Sequence, residues 1–140
     1  MIDLRPDLPP IRDQGRRATC VAFAGTANHE WLRRDGETLS VEFLHWAAKA
    51  RDGLAAGTSG TTLRAATRAL ADIGQPPEPS WPYDDSRDDR APAYGPPAGA
   101  CEAAQQRRLS SCVLLSAGFW RPPRCPRRPG PRAEGRQGLA

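Results

Sequence analysis

Pro10-Ile11-Arg12-Asp13-Gln14-Gly15-Arg16-Arg17-Ala18-Thr19-Cys20-Val21-Ala22-Phe23-Ala24 is the stretch on which this sequence turns. Up to Gly15 the prolines and the glycine forbid a helix and favour an extended arm that ends in a turn. From Thr19 the pattern becomes helical. Thr19 can cap by accepting a backbone N–H bond, Val21, Ala24, Ala27, Asn28, Trp31 and Leu32 recur at three- and four-residue steps, and Gly36 stops the run. Cys20 therefore stands where a helix begins. Unpaired N–H groups and the helix dipole stabilise an anion there, and a thiol is a strong nucleophile only as the thiolate. From the helical pattern alone, a buried structural cysteine is the simpler reading of Cys20.

Downstream the same grammar continues to about residue 89. Ser40 is a good N-cap for a second helix that runs to Gly53, with Val41, Leu44, Ala47 and Ala48 as its apolar stripe. A third starts near Thr61 or Thr62 and puts Leu63, Ala66, Leu70 and Ile73 on one face, with Gly74 as C-cap and Pro76 beyond. Glu78-Pro79-Ser80-Trp81-Pro82-Tyr83-Asp84 reads as an aromatic-anchored loop. Residues 1–89 thus form one helical unit of three helices. Residues 90–140 read as an irregular, low-complexity tail: Pro, Gly and Ala dominate Arg90 to Gly99, and Arg, Pro and Gly dominate from Arg121. Cys112-Val113-Leu114-Leu115 is the one apolar run there, a candidate strand.

Of the 140 residues, 39% are hydrophobic, and these concentrate before about residue 83, so the core has to come from the first part. The net charge of +4 is also uneven. Residues 1–90 hold 12 Arg/Lys against 14 Asp/Glu, a net of −2, whereas residues 91–140 hold 8 Arg against 2 Glu, a net of +6. Such a tail could contact nucleic acid through phosphates, although a solvated end is the plainer reading. Cys20, Cys101, Cys112 and Cys125 form no CxxC pair, and with only two histidines no metal or other cofactor is expected. The opening Met1-Ile2-Asp3-Leu4-Arg5-Pro6 lacks the apolar core of a secretory signal, and no run approaches the ~20 apolar residues of a membrane span. A cytoplasmic protein without a membrane partner is the expectation.

The segment from Pro10 to Ala24 resembles the active-site opening of the papain-like cysteine peptidase family (peptidase C1-like), N-terminal part only. A Gln six residues before the nucleophile leads there into the central helix, as Gln14 precedes Cys20 here. Leu39-Ser40-Val41-Glu42-Phe43-Leu44 is similar to the family's second-helix entry. Gly57-Thr58-Ser59-Gly60-Thr61-Thr62-Leu63 is similar to the loop whose glycines let a substrate backbone approach, and Trp81-Pro82-Tyr83-Asp84 to a "WPY" segment of many bacterial members. Together these cover roughly residues 9–84. The resemblance implies an α+β papain-like fold of two lobes, of which this chain supplies mainly the helical one. It implies Cys20 and Gln14 as catalytic residues, Gln14 and the Cys20 backbone N–H forming an oxyanion hole. It also implies Gly57 and Gly60 as substrate-binding residues and a peptide or protein as substrate. Against the C-G-[SA]-C-[WY] signature, Arg17 replaces a disulfide Cys, Ala18 a Gly, Thr19 a Ser or Ala, and Val21 an aromatic residue. Loss of the disulfide Cys agrees with a reducing compartment.

A cysteine peptidase also needs a His to take the thiol proton and an Asn or Asp to orient it. His29 follows Cys20 by nine residues on the same helix, ~13 Å along the axis and ~180° around it, out of reach of the sulfur. His45 sits mid-helix, where a structural role is expected. The family's His and Asn follow the Cys by about 130–150 residues, and 120 follow Cys20 here. A truncated or frameshifted peptidase, inactive by itself, is the expectation, with apolar inner faces left exposed. The alternatives are a non-catalytic remnant or peptide-binding module and, second, an Arg-rich tail that binds nucleic acid.

Overall fold

The computed structural model describes residues 3, 5–54 and 57–110. Four helices carry the fold: α1 (Cys20–Arg33), α2 (Val41–Asp52), α3 (Leu63–Asp72) and α4 (Ala100–Gln105). No strand occurs among the described residues. The nearest approach is an antiparallel bridge between Leu39 and Pro77, closed by Ser40 N–H to the Pro76 carbonyl (2.9 Å) and Glu78 N–H to the Thr38 carbonyl (2.9 Å). The described residues contain no β-rich lobe of an α+β fold, and the strand expected at Cys112–Leu115 falls outside the described residues.

α2 is the central element, packed against both α1 and α3. Its boundaries follow the sequence: the Ser40 hydroxyl accepts from Phe43 N–H (3.1 Å), and Gly53 ends it at a φ of 65°. Val41, Leu44, Ala47 and Ala48 are fully buried as expected, and Phe43 joins them. Each fully buried side chain of Leu or Phe size contributes about 1.5–3 kcal/mol. Ser40 does a second job, since its hydroxyl donates to the Trp81 carbonyl (2.6 Å) and ties the 78–84 loop to the start of α2. α3 begins at Thr62, whose hydroxyl accepts from Ala65 N–H (3.2 Å), and buries Ala65, Ala66, Ala69 and Leu70. Leu63 corrects the expected stripe. It sits 65% exposed at the first position of the helix, before the buried face begins.

α1 departs further from its expected face. The buried residues are Ala22, Gly25, Thr26, His29 and Glu30, while Ala24 and Asn28 are exposed and Leu32 is half exposed. The helix is rotated by about one residue from its apolar stripe, because close packing and hydrogen bonds decide the contact. A Cβ on Gly25 would lie 3.1 Å from Leu44 Cδ2, so only a residue without one lets α1 approach α2 this closely. The buried polar side chains Thr26, His29 and Glu30 each find a partner. Gln75, fully buried, accepts from His29 Nδ1 (3.1 Å) and donates to Thr26 Oγ1 (2.7 Å) and the Ser40 carbonyl (2.8 Å), while Glu30 accepts from Leu39 N–H (2.7 Å) and Arg12 (3.0 Å). Gly36 does not end α1. Arg34 takes the left-handed cap (φ 55°), returning its N–H to the Glu30 carbonyl and laying its guanidinium 4.7 Å from the Trp31 ring.

The packed unit runs past residue 89. Ala100, Cys101 and Ala104 of α4 enter the core, Leu109 N–H donates to the Leu70 carbonyl (3.0 Å), and Arg107 pairs with Glu37. This fourth helix hides in an Ala-rich run that carries no amphipathic signal. Its seat is Gly74, where an added Cβ would stand 2.1 Å from the Ala104 carbonyl oxygen.

Candidate active site at the mouth of the first helix

Cys20 is the first residue of α1 and is exposed to solvent. Among the described residues it is the free thiol, since Cys101 is disulfide-bonded. The N–H groups of Cys20, Val21 and Ala22 precede the first intrahelical bond, from Phe23 N–H to the Thr19 carbonyl (3.0 Å). Thr19 does not cap them. Its side chain makes no capping bond, and its hydroxyl instead pairs with the Tyr83 hydroxyl at 2.9 Å. No acidic residue occupies the first turn. The helix mouth thus presents open N–H donors and no opposing charge to an anion formed at Cys20.

Residues 14–19 form a tight turn held from three sides. Within it, the Gln14 side-chain Nε2 donates to the Arg17 carbonyl (2.9 Å), which also accepts from Thr19 N–H (2.9 Å). Gln14 is therefore folded back over the turn, with the second N–H of its carboxamide unassigned. From outside, the Tyr83 hydroxyl donates to the Gln14 carbonyl (2.6 Å) while its ring meets Phe23 edge-on at 4.8 Å. Tyr83 thereby clamps both ends of the turn, Gln14 and Thr19. From below, the Arg17 guanidinium forms a two-pronged pair with the fully buried Glu42 carboxylate (2.7 and 2.9 Å), and donates to the Asp84 carbonyl (2.9 Å).

The glycine loop reaches the same place. Gly60, at a φ of +84°, lies so close to Ala18 that a Cβ would stand 3.4 Å from its carbonyl oxygen and 3.6 Å from its Cβ. Ala18 precedes Cys20 by two residues, so Gly60 packs beside the turn that leads into α1. Gly57 (φ +85°) is further out, with open space around its missing Cβ. Both glycines line a cleft of about 160 Å³ with Lys49, Asp52, Leu54, Thr58, Asp89 and Arg90.

Neither histidine joins this surface. His29 is 1% exposed and bound to Gln75. His45 is fully buried, with Nε2 2.6 Å from the Asp89 carboxylate, which Lys49 approaches at 3.0 Å. Burial holds both imidazoles below their ordinary pKa. Both act as donors within the fold, and the sequence contains no third histidine. Tyr83 and Glu42, the two groups that fix the turn, were invisible as site residues. The sequence marks the aromatic loop as an anchor without saying what it anchors, and Glu42 stands there only as one residue of the second-helix entry.

No family model matches the chain, and no curated protein matches it. Among solved structures, the chain is similar to xylellain, a cysteine protease from Xylella fastidiosa, with 26% sequence identity and a TM-score of 0.63. The likeness covers 74% of this chain and 44% of that one, so the chain spans less than half the length of the protease. The described unit has a papain-like fold, in its helical part, and is similar in kind to a cysteine peptidase.

Proposed function

We propose that the chain carries the nucleophile half of a papain-like, C1-type cysteine peptidase. Cys20 attacks the carbonyl of a peptide bond. The developing oxyanion is received by the Cys20 backbone N–H and by the free N–H of the Gln14 carboxamide, and the Gly57 to Gly60 loop lets the substrate backbone lie against Ala18. A single observation supports this most directly: the free, exposed thiol sits at an uncapped helix N-terminus, three residues beyond the carbonyl that holds the Gln14 amide. Donors fixed in advance favour an oxyanion, and loss of one such donor costs on the order of 10²–10³ in rate in a complete enzyme. Proton transfer from the thiol and to the leaving amine needs a base that His29 and His45, both engaged in the core, do not provide. Alone, the chain forms the covalent adduct with an activated electrophile but does not turn over peptides.

A peptidyl epoxide tests this, with the adduct mapped by mass spectrometry. Labelling is expected at Cys20, faster than at free cysteine, abolished by Cys20→Ala and slowed on the order of tenfold by Gln14→Ala. Labelling no faster than free cysteine would refute a built nucleophile. The sequestered histidines favour a second reading, a peptide-binding module that keeps the cleft without the chemistry. Saturable binding of unreactive peptides by the Cys20→Ala variant, lost in Gly60→Ala, would select it.

A further inference from the structure

Glu42 is an unusual residue for a helix N-terminus because it is completely buried. Four hydrogen bonds converge on its carboxylate, two from Arg17 (2.7 and 2.9 Å), one from the Tyr94 hydroxyl (2.6 Å) and one from the Asp84 N–H (3.4 Å), and Arg87 adds a second ion pair at 3.2 Å. The Arg17 guanidinium also lies over the Tyr83 and Tyr94 rings, at 5.3 and 6.0 Å from their centroids. Stability alone does not call for such a group. Desolvating two charges offsets most of their attraction, and apolar residues of similar volume serve a core as well or better. What apolar residues cannot do is fix a direction. A planar guanidinium held by both oxygens of one carboxylate has a single orientation, and it sets the rest of its residue.

The Arg17 main chain is where that orientation matters. Its carbonyl is the acceptor for the Gln14 carboxamide and for Thr19 N–H, the residue immediately before the nucleophile. A rigid chain of contacts therefore runs from the start of α2 through Glu42 and the Arg17 side chain to the Arg17 carbonyl, and from there to Gln14 and Cys20. Arg17 also stands where the cysteine-peptidase signature places a disulfide cysteine, so the turn has lost one covalent tether and gained an ionic one.

We propose that Arg17 and Glu42 are positioning residues, an ion pair that aims the Gln14 carboxamide and the Cys20 thiol. This rests on the peptidase reading for the use of that geometry, though not for its existence. The pair holds under reducing conditions, where a disulfide would open. Tyr94, which donates to Glu42 without touching the turn's backbone, tunes the pair from the far side.

The test uses the whole chain and two readouts that a purely structural role would leave alone. One is the rate of Cys20 alkylation by iodoacetamide, mapped by mass spectrometry. The other is the NMR signal and solvent exchange of the Gln14 side-chain amide, measured where circular dichroism shows the variant folded. In Glu42→Gln and Arg17→Lys, the Gln14 amide is expected to lose its protection and move toward the position of a solvated glutamine. Cys20 alkylation is expected to slow on the order of tenfold. Folded variants that keep both the Gln14 signal and the alkylation rate would overturn the proposal, whatever their melting temperatures. Should both fail to fold, Tyr94→Phe decides: it keeps both charges, and a partial shift of the same two readouts is required. If Cys20 of the unaltered chain reacts no faster than free cysteine, the peptidase reading falls, and the Gln14 signal still judges the positioning claim.

Discussion

Gly57 and Gly60 offer a controlled pair of substitutions, because their backbones are nearly identical and their surroundings are not. Both have φ near +85°, where an L side chain meets its own carbonyl, so Gly57→Ala and Gly60→Ala should each lose about 1–2 kcal/mol of stability. Space then separates them. At position 57 a Cβ meets nothing within 4 Å. At position 60 it stands 3.4 Å from the Ala18 carbonyl oxygen, at the near edge of ordinary contact, and 3.6 Å from the Ala18 Cβ. The loop must settle against, or press on, the turn leading into Cys20. Urea denaturation should give similar stability losses for the two variants, while alkylation or peptidyl-epoxide labelling of Cys20 should change severalfold in Gly60→Ala alone. Equal labelling by both variants, or no change in a folded Gly60→Ala, would refute the idea that this loop acts on Cys20 through Ala18.

Three further outcomes follow from the fold. Gly74→Ala places a Cβ 2.1 Å from the Ala104 carbonyl oxygen and 2.7 Å from that of Arg107, at a φ of +86°; it should destabilise by more than about 3 kcal/mol and release α4, seen as new amide exchange at residues 100–109. Gln75→Ala strands His29, Thr26 and the Ser40 carbonyl in the core and should lower stability by roughly 3–5 kcal/mol in urea titrations, about 1–3 kcal/mol for each group with partial relaxation. Burial lowers the folded-state pKa of His29 and His45 below the ordinary 6.5, so their neutral forms stabilise the fold fully above about pH 6.5, and that contribution is lost as pH falls toward the lowered values. The urea midpoint should drop between about pH 7.5 and 5, with at most about 1.4 kcal/mol per pH unit from each histidine; a flat profile would contradict burial of the neutral rings.

Local chemistry made α2 and α3 legible in the sequence. Ser40, Thr62, Gly53 and Gly74 are punctuation whose meaning does not depend on the rest of the chain, and the stripe of α2 buried as its spacing implied. α1 was misread in its rotation because its buried face is made of Gly25, Thr26, His29 and Glu30, residues whose burial only a partner can justify. Gln75 and Arg12 are those partners, 46 residues on and 18 residues back in sequence, beyond the reach of periodicity. α4 was missed for a related reason, since an Ala-rich turn becomes a core element only against Gly74. In the site, Cys20 at a helix mouth and Gln14 beside its turn were both legible. Tyr83 and Glu42 were not, for what they hold is separated from them by 69 and 25 residues.

Thr19 is the most informative of these misreadings. A hydroxyl at the N-cap ordinarily accepts one of the free N–H groups of the first turn, and Ser40 and Thr62 in this chain do so. Thr19 has the same chemistry, but its backbone (φ −107°, ψ 10°) is not extended as at Ser40 and Thr62, and its hydroxyl is turned to Tyr83, which in turn grips the Gln14 carbonyl. An unmade cap of this kind costs about 1 kcal/mol of helix stability, and the bond to Tyr83 offsets it while leaving the first-turn donors open. α2 and α3 are closed by their hydroxyl caps, whereas α1 is left open at the residue bearing the free thiol. The same contact that uncaps the helix also fixes the turn carrying Gln14, so donor availability and donor direction arise from one hydrogen-bonded pair of hydroxyls.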